Sequence, residues 1–426
     1  MSSHPKSFPL SNNFLKFYLY ALLAVLPALL FYSCSPAKRT ISPRLEDKTF
    51  NKTIRVYLDE LPLSYNLKLK EGGYLKNASD EIIKLERNST VNFSLAGGFI
   101  TADGGGKTFI SSVFSVFPLP MAKDLEYKGK KYRGEMKFVT ANSKLLIINE
   151  LLIEDYLKGV LPLEMGNIKG DENFEALKAF SIIARNFAYM KLDQKGSLFD
   201  VYPDTKDQVY GGASVEKELA NKAIEETKGL ILTYQHSPAK VFYFSSCGGA
   251  TEDVGNVFRE KDIPYLVSVK DTKEPSCEIS PNFNWIEKYS GKTIIKRLYE
   301  NKLIDNTENS LSNIEVKSRF ESGRVNELVI DFVSPDGSEN SVTISSNNIR
   351  KILKTGDGKN ILRSTMFDIE KKGNGDEAEV IIKGKGNGHG VGLCQWGAIA
   401  KSRKGKSFGE ILYFYFPGTR IEKIND

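Results

Sequence analysis

An α+β fold with a β-rich N-terminal region is what this 426-residue sequence predicts. Two observations carry the prediction. Up to about Leu125 the apolar residues alternate in short runs separated by glycine turns. Beyond it, runs of that kind are interleaved with segments whose apolar residues recur at helical spacing.

The order of elements follows from the chain. Residues 1–34 read as an export signal: Lys6 and Lys16 precede an apolar run from Phe17 to Tyr32 that Pro27 interrupts. That run is short for a bilayer span. It ends at Ser33-Cys34, the form of a lipidation site at Cys34, although Phe31 stands where such sites usually carry Leu or Val. The expectation is an exported protein of the cell envelope, held to a membrane by a lipid on Cys34; the alternatives are ordinary signal cleavage and an uncleaved signal anchor. Residues 35–50 are a polar tether. Residues 51–125 form the β-rich region, with strands at Ile54–Leu58, Tyr65–Leu69 and Val91–Leu95 and turns at Gly72-Gly73, Gly97-Gly98 and Gly104–Gly106. No chemistry is visible there, so packing and substrate support are its expected roles.

Residues 126–426 form the second region. Strands are expected at Met136–Val139 and Leu145–Asn149, then a short helix from Ile153 that closes on Pro162-Leu163-Glu164-Met165. Asn173 to Leu192 has helical spacing, with Phe174, Leu177, Phe180 or Ser181, Ala184 and Ala188 on one face. Arg185 lies in this apolar stretch. It is either buried with a carboxylate or carbonyl partner or exposed on the polar face. Further on come a helix over Glu216–Thr227, strands at Leu230–Tyr234 and Ala239–Phe244, and a helix over Thr293–Glu300. Strands follow at Asn313–Val316 and Glu327–Phe332, with a hairpin turn at Asp336–Ser338. A last strand, Glu379–Lys383, leads into a glycine-rich loop and a helix opening near Trp396.

Composition bounds the function. With 41% hydrophobic and 26% charged residues the chain can bury a real core. The formal charge of +6 is dispersed, which leaves no nucleic-acid patch. Apart from Cys34 there are Cys247, Cys277 and Cys394. Export permits a disulfide, for which Cys247 and Cys277 are the favoured pair, because Cys394 sits inside the glycine loop. A site that Cys394 shares with His389, for zinc or a redox link, has no CxxC or HxxxH spacing to support it, and no metal or other cofactor is expected.

The loop Lys385–Ala398 packs Gly386, Gly388, Gly390, Gly392 and Gly397 around His389. Glycine at that density marks backbone that turns tightly or approaches another group closely. The imidazole either makes a structural hydrogen bond or serves a site. Four upstream segments accompany it: Tyr156 to Met165, Glu175 to Asn186, Asp204 to Gly212, and Ser245 to Glu252, with Tyr413 to Thr419 closing the set. In this order and spacing they resemble the SpoIID/LytB family of stage II sporulation protein D and the amidase enhancer, over about residues 130 to 423.

The resemblance implies a SpoIID-like catalytic domain in residues 126–426. Sporulation members are lytic transglycosylases that cut the glycan strands of peptidoglycan and favour strands stripped of stem peptides. Their catalytic acid lies in a Glu-Met block, here Glu164-Met165. Other members are enhancers of a cell-wall amidase, and that non-catalytic, glycan-binding role is the alternative, with an amidase as partner. The expected partners are therefore glycan strands, a wall amidase and a membrane, but no nucleic acid. Some sporulation members also bind zinc through His and Cys after the catalytic block; between Leu192 and Tyr210 this chain has neither, so no metal is expected there.

The residue chemistry agrees. One carboxylic acid suffices when the sugar's own 6-hydroxyl is the nucleophile, whereas hydrolysis normally takes two. That acid must hold its proton near neutrality, well above the ordinary value of about 4.3. Apolar neighbours such as Pro162, Leu163 and Met165 raise it. Candidates for binding the sugar are Arg185, Asp204, Asp207, Gln208, Tyr210 (by stacking), Ser245, Ser246, Thr251, Glu252, His389 and Gln395. His389 is expected to orient Glu164 or bind an acetamido oxygen. Trp396 is a sugar platform or a core anchor. A thiol peptidase built on Cys394 or Cys247 with His389 is disfavoured, because Cys247 stands where the family often has Ser.

Overall fold

The computed structural model describes Met1 and residues 51–424, apart from residues 167, 193–195, 259, 261–262 and 272–275. Cys34 and the expected signal and tether lie outside the described residues.

Mixed sheets and helices give an α+β architecture, as the alternating and helical periodicities require. An antiparallel six-stranded sheet runs in the order Thr53–Leu61, Lys144–Leu152, Glu135–Ala141, Val113–Pro118, Gly73–Asn77, Ile82–Leu85. A four-stranded sheet of Ser64–Leu69, Ser89–Ala96, Phe99–Gly104 and Lys107–Ser111 packs on it. Phe93 of the second sheet stacks on Phe138 of the first, ring centroids 3.9 Å apart.

The break expected at 125/126 falls inside this unit. Strand Thr53–Leu61 pairs along its length with Lys144–Leu152, which runs directly into the helix that carries Glu164. Arg55 also clasps Asp200 through two guanidinium bonds and its own N–H, and Tyr57 N–H donates to Val201 O at 3.0 Å. The N-terminal strand thereby anchors the base of the Asp204–Tyr210 loop. One apolar core reaches from Ile54 to Phe416. A second, separate core lies within Trp285–Ile382, between the sheets Asn284–Ser290/Glu379–Lys385/Phe367–Lys372 and Ser310–Arg319/Val325–Val333/Glu339–Ser345.

Helices cover the first core. Ile153–Glu164 runs one turn past the expected stop, through Pro162. A proline in a last turn removes only one intrahelical bond, so the helix tolerates it there. Gly159 lets this helix approach Tyr210: a Cβ would lie 2.5 Å from the ring. The central helix Phe174–Lys191 is buried beyond the single expected face, since every residue from Ala179 to Asn186 is covered. Asn186 pairs with the next strand as a peptide group would, bonding Leu232 O and N and Ala239 O.

Strand Tyr243–Phe244 is shorter than the expected Ala239–Phe244 and lies parallel to Leu393–Cys394. Gly392, one residue earlier, has φ +77°, and a Cβ there would stand 2.2 Å from Phe242 O. Gly392→Ala is expected to destabilise by at least about 1–2 kcal/mol from the left-handed backbone alone, read as a lower urea midpoint with unchanged slope.

Candidate active site

Glu164 occupies the last helical position of Ile153–Glu164, where the side chain leaves the helix toward the Asp204–Tyr210 loop. One carboxylate oxygen accepts the Val209 N–H at 2.8 Å. The Tyr243 hydroxyl hydrogen-bonds the same carboxyl. Gln395 Nε2 donates to Glu164 O at 3.0 Å, tying the start of the helix Gln395–Arg403 to the end of the first. Burial pushes the Glu164 carboxyl above the ordinary glutamate range, while the Val209 N–H and Tyr243 hydroxyl, which favour the carboxylate, pull it part of the way back.

Behind this carboxyl stands a relay of buried polar groups. Tyr243, whose own ionisation burial pushes well up, lies beside Gln208, whose Nε2 has no hydrogen-bond partner among the described residues. Gln208 is fully buried and accepts from Tyr156 Oη at 3.3 Å. His389 supports Tyr243 from the other side. Val391 N–H donates to His389 Nδ1 at 3.1 Å, so Nε2 carries the hydrogen and donates to Tyr243 O at 3.0 Å. Rings of Phe242, Phe244 and Phe258 surround the imidazole. Burial first, then the Arg350 charge, hold its pKa down to about 3, so it is neutral near neutral pH. His389 therefore holds Tyr243 through its backbone and stands one residue behind Glu164, with both ring nitrogens engaged by backbone groups.

Several other expected sugar ligands are engaged elsewhere. Arg185 is 0% exposed and forms a bidentate pair with Glu154, both contacts 2.8 Å, with a third bond to Leu230 O at 3.0 Å. Tyr210 is buried beside Tyr132 and Tyr156, and its hydroxyl donates to Asn149 Oδ1 at 2.8 Å, so its ring is not free to stack on a sugar. Asp207 pairs with Lys191 at 2.8 Å and accepts Tyr202 N–H, closing its own loop. Asp204 is exposed and accepts Lys206 N–H, as an Asx turn does. Thr251 and Glu252 are buried: the Thr251 hydroxyl bridges Val267 O and Val269 N, and Glu252 accepts from Asp253, Asn256 and Ser322. Ser245 is half-buried, its carbonyl taken by Trp396 N–H, while Ser246 is fully buried and bridged to Asn387. Trp396 packs half-buried against the first core.

Of the expected set, the fold brings Gln395 to Glu164 and puts Gln208 and His389 behind it. Sequence reading missed Tyr243 and Val209. Tyr243 lay in a run read only as a strand, and Val209 contributes a backbone N–H, which no side-chain pattern reveals. Cys247 and Cys277 do face each other, Sγ atoms 3.3 Å apart, but as free thiols with Cys394 beside them.

Comparison with known proteins places the chain in a family. A family model described as stage II sporulation protein (SpoIID) matches residues 141–234, the segment holding Glu164, Arg185 and Gln208. A second, described as a domain of unknown function (DUF8618), matches residues 277–392. An uncharacterized protein of Brachyspira hyodysenteriae is 35% identical over 299 residues, 70% of this chain and 74% of that one. The amidase enhancer of Bacillus subtilis is 30% identical over 384 residues, 78% of this chain; the chain spans about half, 52%, of that longer protein. The stage II sporulation protein D of Bacillus amyloliquefaciens is 30% identical over 300 residues, 65% of this chain and 76% of that protein.

Proposed function

The chain belongs to the SpoIID/LytB family, and from that premise we propose that it cleaves the glycan strands of peptidoglycan as a lytic transglycosylase with Glu164 as its single acid and base. The observation that carries the proposal is the Glu164 carboxyl itself, partly buried, raised above the ordinary range, and fixed between Val209 N–H and Tyr243. On the facing loop, Asp207 is paired with Lys191 and Asp204 accepts the Lys206 N–H of its own turn.

In the proposed reaction Glu164 gives its proton to the glycosidic oxygen as the bond from the N-acetylmuramic acid C1 to that oxygen breaks. The carboxylate then takes the proton of the same sugar's 6-hydroxyl as O6 bonds to C1. The products are a 1,6-anhydro end and a free 4-hydroxyl, with no water consumed. The Tyr243 hydroxyl stabilises the carboxylate between the two transfers.

Tyr243→Phe tests that arrangement. Losing a bond that favours the carboxylate raises the Glu164 pKa, so the acid keeps its proton to higher pH. The alkaline limb of the rate profile is expected to move upward, with a lower maximum rate. An unmoved limb would separate Tyr243 from the acid.

Likeness to the amidase enhancer favours a second reading, in which the chain binds glycan and assists a wall amidase. Mass spectrometry of products from intact peptidoglycan and from amidase-stripped glycan separates the two. Anhydro ends support cleavage, and the better substrate shows whether stem peptides obstruct the site. Binding without cleavage supports the enhancer role. We further place the protein in the cell envelope, exported and anchored through a lipid on Cys34; among the described residues no helix is long and apolar enough to cross a membrane. Metabolic labelling with a lipid precursor, lost in Cys34→Ser, tests the anchor.

A further inference from the structure

We propose that Cys247, Cys277 and Cys394 bind one zinc(II) ion as thiolates, in a structural site that fastens together the segments supporting Glu164. Three separate parts of the chain deliver the sulfurs. Cys247 lies in the turn after Tyr243–Phe244, Cys277 in the short helical turn Ser276–Ile279, and Cys394 at the N-cap of Gln395–Arg403. Separations of 30 and 147 residues hide the cluster from any spacing rule. In the fold the three Sγ atoms lie within 4.8 Å of one another, and all three residues are at most 2% exposed. A tetrahedral zinc about 2.3 Å from each sulfur would separate them by about 3.8 Å, which the observed spacing accommodates after small side-chain rotations.

The surroundings are built for negative sulfur. Cys394 Sγ accepts the N–H groups of Cys247 and Gly397, each at 3.2 Å, and Cys247 Sγ accepts Gly249 N–H at 3.4 Å. Arg324, 1% exposed, reaches Cys247 O with Nη2, yet among the described residues its Nε and Nη1 have no hydrogen-bond partner. The buried Tyr415 hydroxyl has no hydrogen-bond partner among the described residues, and the buried Ser246 hydroxyl faces Cys277. A Cβ on Gly397 would touch both Tyr415 Oη and Cys394 Sγ, which places that hydroxyl beside the cluster. Buried donors without acceptors are rare, and each costs about 1–3 kcal/mol. Neutral thiols, or a disulfide with one thiol over, leave them poorly satisfied. Three thiolates around zinc carry a net single negative charge, give those donors an acceptor, and balance the Arg324 guanidinium.

Sulfur donors select a thiophilic ion of zinc's class over calcium or magnesium. Three protein sulfurs leave a fourth position for an oxygen donor, and the buried Ser246 hydroxyl, which faces Cys277, is at hand. The consequence for Glu164 is positional. Cys247 follows Tyr243 by four residues and Cys394 directly precedes Gln395, so one ion would hold both of these Glu164 contacts. The site itself stands whether or not the protein cleaves glycan.

Elemental analysis of the purified full-length protein tests this, together with its intact mass and cobalt(II) substitution. One zinc per chain, an intact mass showing all three thiols reduced, and thiolate-to-cobalt charge-transfer absorption in the substituted protein are expected. Cys277→Ser should lose the ion. If that variant does not fold, stripping the native protein with a chelator and restoring it with zinc gives the same reading, through a reversible fall in thermal midpoint. A metal-free protein two hydrogens lighter, with Cys247 joined to Cys277, would overturn the proposal, as would a metal-free protein with three free thiols that takes up neither ion.

Discussion

Glu164→Gln is expected to remove 1,6-anhydro products and to slow cleavage by at least roughly 10²–10⁴-fold, the usual contribution of a positioned acid. The fold should survive, because the amide oxygen can still accept the Val209 N–H and Tyr243 hydroxyl. Its stability should also show a defined pH dependence. Burial raises the folded-state pKa of Glu164, so the native protein binds this proton more tightly than the unfolded chain does. The contribution is full below the unfolded glutamate value and is lost as pH rises through the folded one. An uncharged amide escapes that loss. Thermal midpoints of the variant should therefore meet or exceed those of the wild type near neutral pH, and the gap should close in acid. A variant that still cleaves would end the single-acid mechanism; one that is less stable near neutrality than in acid, relative to wild type, would show that burial does not raise the carboxyl.

Arg185→Met is expected to destabilise by about 3–5 kcal/mol, because it leaves the Glu154 carboxylate buried without its cation. That is a large share of the roughly 5–15 kcal/mol by which native domains are stable, so low yield or aggregation is part of the expected result. Among the described residues Glu154 keeps only the Gly229 N–H at 3.2 Å once the guanidinium is gone. Replacing both residues, with Glu154→Gln beside Arg185→Met, should recover much of the loss, since an amide can still accept Gly229 N–H without a charge to compensate. Urea midpoints of the two single variants and the double give the coupling directly. If Arg185 instead held substrate, the single variant would fold normally and lose only glycan affinity.

Sequence and structure divide the site unevenly. Glu164 was legible because a carboxyl flanked by Pro162, Leu163 and Met165 is a local fact, and because its Glu-Met block recurs in a recognisable series. Elements with strong periodicity were legible for the same reason: the helices at Ile153 and Phe174 begin within a residue of their expected positions. Polar residues within those blocks were assigned to sugar because chemistry at a motif invites that reading. Most of them, Arg185, Tyr210, Thr251 and Glu252 among them, hold the scaffold, since a polar group near a buried site must first satisfy itself. Whether Arg185 faced a carboxylate or solvent was undecidable until the fold brought Glu154, 31 residues away, against it.

The sequence by itself determined the fold class and the family, and it singled out Glu164 as the proposed acid. These rest on local patterns: period two or period 3.6, glycine where backbone must turn, and a carboxyl among apolar neighbours. Only the tertiary structure decided what surrounds that acid. The Tyr243 hydroxyl, the Val209 N–H, the neutral His389 behind Tyr243 and the three converging sulfurs come from segments distant in the chain. Their relation is set by the pairing of Tyr243–Phe244 with Leu393–Cys394 and by the packing of the helices over one core. Such contacts depend on which surfaces exclude water together, and no local spacing encodes that.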